Sequence, residues 1–138
     1  MPGYEILAHT ADTGFRAHAD TLEELFIQAA HALVEVALDP SGAVAFEPRE
    51  VTATGSDEGE LLVNWLNEVL FLLDGRRWVP ARFEAVSIEE GGVVGRVLGE
   101  ARDDTRHRPR IVVKAATFHQ LRIGEQNGVW EAEVYLDI

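Results

Sequence analysis

The sequence predicts an α+β fold, a two-layer domain in which a mostly antiparallel (mixed) β-sheet packs with two amphipathic helices. Three observations carry that prediction. Two stretches repeat apolar residues at helical spacing, and both end before residue 75. Most of the remaining chain alternates apolar and polar residues in short runs bounded by turn residues. Strand–helix alternation is lost after residue 75, which argues against a parallel α/β sheet.

In chain order, residues 6–8 and 15–19 read as short strands flanking the loop His9-Thr10-Ala11-Asp12-Thr13-Gly14. Asp20 and Glu23 have capping-box spacing, and Leu22, Leu25, Phe26, Ala29, Leu33 and Val36 or Ala37 follow at helical intervals. That run stops at Asp39-Pro40-Ser41-Gly42. Residues 44–54 read as a strand, and Pro48 inside it predicts an edge or irregular one. Asp57 and Glu60 repeat the start signal. Leu61, Leu62, Trp65, Leu66, Val69, Leu70, Leu72 and Leu73 then form a wide apolar face that stops at Asp74-Gly75. Residues 82–89 and 93–99 face each other across Glu90-Gly91-Gly92, and Asn127-Gly128 joins 118–123 to the last strand in a second hairpin. In that strand, WEAEVYLDI, the residues Trp130, Ala132, Val134, Leu136 and Ile138 share one side. Glu131, Glu133, Tyr135 and Asp137 share the other. Chain ends fray unless tied down, so alternation up to the last residue raises the question of what holds this one.

At 138 residues the chain is expected to be one domain, 1–138. It has no cysteine, which excludes disulfides, thiolate catalysis and cysteine-ligated zinc. Any metal must be held by oxygen or imidazole. The opening MPGYEILAHTAD has neither the basic start nor the long apolar run of a signal peptide. The greasiest stretch, 61–73, carries Asn64, Asn67 and Glu68 and is too short to span a bilayer. A cytoplasmic location without membrane association is the expectation. The net charge of −12 argues against an autonomous DNA or RNA binder and favours encounter with a basic partner.

Three places concentrate polar residues. The 9–14 loop reads either as a turn in which Asp12 accepts backbone N–H bonds, or as a site. The stretch containing Glu100, Arg102, Asp103, Asp104, Arg106 and His107 reads either as a solvated connection or as a site. Lys114 and His119 fall on opposite faces of an expected strand, and His119 taken alone reads as a buried, hydrogen-bonded core histidine. Ser41, Ser56 and Ser87 lie in no nucleophile elbow, and there is no Gly-rich phosphate loop, HExxH or EF-hand pattern.

Five segments in register resemble the archease family. They are HTADTGFRAHADTLEELFIQAAHAL, LLVNWLNEVLFLLD, the trio Glu100, Asp103 and His107, VKAATFHQL, and the closing VYLDI. The resemblance spans essentially the whole chain; the 76–82 stretch, more basic and proline-broken than the family pattern, lies outside the motifs. Archeases are protein cofactors, not enzymes, that serve RtcB-type RNA ligases in tRNA splicing and RNA repair. The resemblance implies a metal-dependent activator that promotes guanylylation of the ligase and restores multiple turnover, meeting RNA only through the ligase. It also implies a metal site of Asp12, Asp137 and the carboxyl-terminal residue Ile138, with His9 a neighbour. Calcium suits three anionic oxygen donors, and magnesium or manganese are the alternatives. Such an ion would pin the last strand to the 9–14 loop. The competing reading is a small metal-dependent hydrolase or phosphatase with Asp12 and Asp137 as ligands.

Overall fold

The computed structural model of the chain describes residues 2–8 and 13–138. Its elements are β1 (Gly3–Ala8), β2 (Thr13–Ala19), α1 (Leu22–Ala37), β3 (Glu47–Thr54), α2 (Glu58–Asp74), β4 (Trp78–Glu89), β5 (Gly92–Ala101), β6 (Ala115–Ala116), β7 (Arg122–Gln126) and β8 (Val129–Asp137). The α+β class stands as the sequence predicts, and the strand pairings among the described residues are antiparallel. Periodicity does not reveal that the strands divide into two sheets. One sheet has the order β1-β2-β8-β6, with β7 also on β8; the other is β3-β5-β4. The helices pack against both. Helix α1 lies on β1, β2, β8 and β4, while α2 lies on β3, β4, β5, β6 and β7.

Contact with two sheets explains the width of the apolar faces. Helix α2 buries Leu61, Leu62 and Val63 in succession, then Trp65 and Leu66, a pattern that one supporting layer would not need. Trp65 sits where the layers meet. It is fully buried, its ring lies 6.1 Å from Phe26 and 5.9 Å from Phe83, and its N–H donates to the Phe26 carbonyl at 3.0 Å.

Helix α1 starts one residue later than the Asp20–Glu23 spacing predicts. Thr21 is the N-cap, with Oγ1 accepting the Glu24 N–H at 3.1 Å. Thr21 and Glu24 have the same capping spacing, so sequence alone offers two registers. Asp57 caps α2 as predicted, accepting the Glu60 N–H at 2.8 Å. Neither helix has a basic residue in its last turn. Positive charge reaches both ends from the segment after β5. Arg102 donates to Leu73 O at 3.3 Å and pairs with Asp74 at 3.1 Å, and Arg110 donates to Glu35 O at 2.9 Å.

Pro48 lies in an edge strand, as expected, and β4 starts earlier than predicted, at Trp78, accommodating Pro80 beside an irregularity at the other edge. Both hairpins turn through two left-handed residues, Glu90-Gly91 (φ 43° and 76°) and Asn127-Gly128 (φ 54° and 79°), the conformation that matches strand twist. The strand expected over 118–123 begins only at Arg122. Leu121 N–H bonds Phe118 O at 3.2 Å in a turn, with Gln120 at φ 50°.

Strand β8 is central. It pairs with β2 along one side, and with β7 and then β6 along the other. Ala132, Val134 and Leu136 face the core, Trp130 packs partly against it, and Ile138 is half exposed. The described strand end is thus held by neighbours on both sides, which answers part of the question that its sequence raises.

Candidate functional site

His9 and Asp12 lie outside the described residues, and the ladder around them is complete. Ala8 pairs with Thr13 across β1 and β2, and Thr13 pairs with Leu136 across β2 and β8. Thr13 follows Asp12 in the chain, and Leu136 precedes Asp137. The sequence neighbours of two predicted metal ligands are therefore partners in register. Asp137 itself pairs with Ala115, and its carbonyl accepts the Lys114 N–H at 2.7 Å. Its side chain is exposed, with no hydrogen bond or ion pair to another described residue.

The donor chemistry suits a hard cation, since carboxylate oxygens and no cysteine thiolate are on offer. Among the described residues no group of three or more His, Asp or Glu side chains could hold a metal ion. Asp137 would need further donors, and the resemblance supplies Asp12, outside the described residues, and the carboxyl group of Ile138, within them.

Gly14 belongs to β2 rather than to a loop, and it is needed for close approach. A Cβ there would meet Val134 O at 2.5 Å and a Tyr135 ring carbon at 2.9 Å. The Tyr135 hydroxyl donates to Glu133 at 2.8 Å, and with Arg16 it holds the Glu133 carboxyl below the usual carboxylate range. Arg16 bridges Glu133 at 2.9 Å and Glu5 at 2.8 Å, so the solvent face of this sheet end is a cross-strand charge row.

The expected burial of His119 is a point the structure corrects. His119 is exposed on the 118–121 turn, edge-on to Tyr135 with ring centroids 6.3 Å apart. Lys114 is also exposed, one residue before the two-residue strand β6, so the pair does not share a strand. Among the described residues the buried histidine is His107, which is completely inaccessible. Its Nδ1 accepts the Asp103 N–H at 3.0 Å, so the ring proton sits on Nε2 and is donated to Glu100 at 3.0 Å. Glu100 also accepts from Arg106 at 2.6 Å and from the Val44 N–H at 2.8 Å. The Arg106 bond leads the causes that lower the Glu100 carboxyl to about 2. Thr105 closes a turn on the Asp103 side chain through its N–H and hydroxyl, and this lowers the Asp103 carboxyl. The structure thus brings Glu100, Asp103 and His107 together in a hydrogen-bonded strap, with residues 103–106 exposed and His107 buried beneath. Asn67, one of the polar residues of the 61–73 stretch, has a structural role that its position in the sequence does not reveal. Its amide makes two bonds to Ala116, and the available signal was a polar residue inside an apolar helical run.

The geometry defines a small antiparallel α+β protein whose central strand carries its last acidic residue to the start of β2. Over residues 4–138 the chain matches the Archease protein family, and by that match and its relatives it belongs to the archease family. Protein archease of Methanopyrus kandleri is 38% identical over the full length of both chains, and that of Methanothermobacter thermautotrophicus is 39% identical, also over both full lengths. The solution structure of Methanobacterium thermoautotrophicum protein 1598 has a TM-score of 0.81 at 37% identity, covering 99% of each chain. The crystal structure of an archease from Thermotoga maritima, described as a possible chaperone, shares the fold. Its TM-score is 0.67 at 21% identity, with 97% of this chain and 96% of that one covered. Among the described residues, no helix is long and apolar enough to cross a membrane.

Proposed function

We propose that this protein is a metal-dependent activator of an RtcB-type RNA ligase in tRNA splicing and RNA repair, promoting ligase guanylylation and multiple turnover. Membership of the archease family supports an archease role, and the ligase is what the family resemblance implies. The observation that carries the metal site is the Thr13–Leu136 register, with Asp12 and Asp137 one residue beyond it in sequence. Asp12, Asp137 and the carboxyl group of Ile138 hold a divalent cation, calcium in the first instance, with magnesium or manganese as alternatives. The cation supplies the positive charge without which clustered carboxylates repel. The chain's own contribution is to hold the β8 end rigid between β2 and β6. Its net charge of −12 favours docking on a basic ligase surface and disfavours direct binding to RNA. The partners meet in the cytoplasm.

The deciding experiment is a ligation assay with the cognate ligase, counting RNA joined per ligase with and without this protein. The expected result is a rise from about one turnover to many, and no ligation or hydrolysis by this protein alone. Unchanged turnover at saturating protein rejects the reading, as does steady RNA or phosphoester hydrolysis without the ligase.

A further inference from the structure

Helix α2 carries one side chain that behaves as a strand. Asn67 Oδ1 accepts the Ala116 N–H at 2.8 Å, and Asn67 Nδ2 donates to the Ala116 carbonyl at 3.3 Å. Exchanging two such bonds with a single residue is what a hydrogen-bonded partner does in an antiparallel ladder. Strand β6 is only two residues long and has too few ladder bonds to hold itself in place. On its inner side Ala115 and Ala116 pair with Asp137 and Leu136. Just outside the pair, Lys114 N–H donates to Asp137 O at 2.7 Å, and Thr117 donates to Tyr135 O through its N–H (3.1 Å) and hydroxyl (3.0 Å). The outer edge of this clamp is closed by Asn67.

We propose that Asn67 is the positioning residue for the Asp137 carboxylate. Helix α2 is anchored in the core through Leu66, Leu70 and Leu73. Through Asn67 and Ala116 it sets where the end of β8 stands, and the proposal rests on the reading of Asp137 as a metal ligand. The residue type follows from the task. A planar amide offers a donor and an acceptor together; aspartate keeps only the acceptor, and leucine of similar shape has neither. Ala115, opposite Asp137 on the same face of the ladder, presents only a methyl group, which leaves the carboxylate uncovered. Asn64, one turn earlier on α2, provides a built-in control, because its amide donates to Thr54 O of β3 in the other sheet at 2.7 Å.

The test compares wild type, Asn67→Leu, Asn67→Asp, Asn64→Leu and Asp137→Ala by amide hydrogen exchange without calcium and by calorimetric calcium titration. In Asn67→Leu the Lys114 amide, whose acceptor is Asp137 O, is expected to lose protection about 10-fold, while the β2–β8 amides keep theirs. Calcium affinity is expected to fall about 10-fold, the scale seen when a group supporting a metal ligand is removed. Asn67→Asp should fall between, and Asn64→Leu should change neither quantity at this end. A folded Asn67→Leu protein with wild-type Lys114 protection and wild-type calcium affinity overturns the proposal. If wild type binds no calcium, or Asp137→Ala binds it normally, the metal-site reading fails separately. Lys114 exchange still decides whether Asn67 positions the strand end. Should Asn67→Leu not fold, Asn67→Asp carries the same two measurements with the same deciding results.

Discussion

Glu100 accepts hydrogen bonds from Arg106, from the Val44 N–H and from His107. The Arg106 guanidinium, the Val44 N–H and His107 all favour its ionised form and bring its pKa from 4.5 to about 2. Because the folded value lies below the unfolded one, the carboxylate stabilises the fold above the ordinary carboxylate range. That contribution fades as pH falls from 4.5 toward about 2. Glu100→Gln is therefore expected to be less stable than wild type at neutral pH, with the gap narrowing across that window. Urea midpoints at a series of pH values measure it, and a constant gap would show that the ionised form is not preferred. Asp137→Ala makes the opposite separation. Its exposed side chain supports no described contact, so thermal stability without metal should stay within about 0.5 kcal/mol of wild type. Calcium affinity should drop at least about 10-fold. A calcium isotherm matching wild type would remove Asp137 from the proposed site.

At the scale of elements, the helix ends offer sharp comparisons. Two N-cap registers compete for α1, and the structure chooses Thr21 over Asp20. Thr21→Ala should cost about 1 kcal/mol of unfolding free energy, while Asp20→Ala, exposed and one residue outside, should cost about 0.5 kcal/mol or less. The reverse order in denaturant midpoints would restore the Asp20 register. At the far end of α2, the Arg102 side chain is only 8% exposed and holds Leu73 O, Asp74 and Asp104. Arg102→Met keeps the aliphatic stem and leaves those acceptors without it, so a loss of about 1–3 kcal/mol is expected. A loss below about 0.5 kcal/mol would mean that water replaces the guanidinium without cost.

For the whole molecule the governing quantity is charge. With 24 acidic residues against 12 basic ones, long-range attraction to a basic surface on the proposed ligase partner should raise the association rate, and salt should screen it. Stopped-flow association with the ligase is expected to slow at least about 10-fold between low and several-fold higher ionic strength, with dissociation changing less. An association rate that ignores salt would mean that apolar contact governs docking. Exposed Phe46 and Val112, at 81% and 76%, are the first side chains such a result would implicate.

Features encoded over short separations are legible in the order of residues alone. Helical and two-residue periodicity marked both helices and most strands, Asp57 marked the start of α2, and Glu90-Gly91 and Asn127-Gly128 marked both tight turns. The alternation of β8 and the family resemblance singled out Asp137. Tertiary structure decided what depends on distant partners. Arg110 reaches Glu35 from 75 residues away, and Asn67 reaches Ala116 from 49. His119 and His107 look alike in sequence, yet one sits on an exposed turn while the other is enclosed once β5 delivers Glu100 to it. Likewise an apolar helix face reveals that something covers it and not how many sheets do so. Periodicity records which side of an element avoids water; the identity of the group on that side is set only when the chain closes on itself.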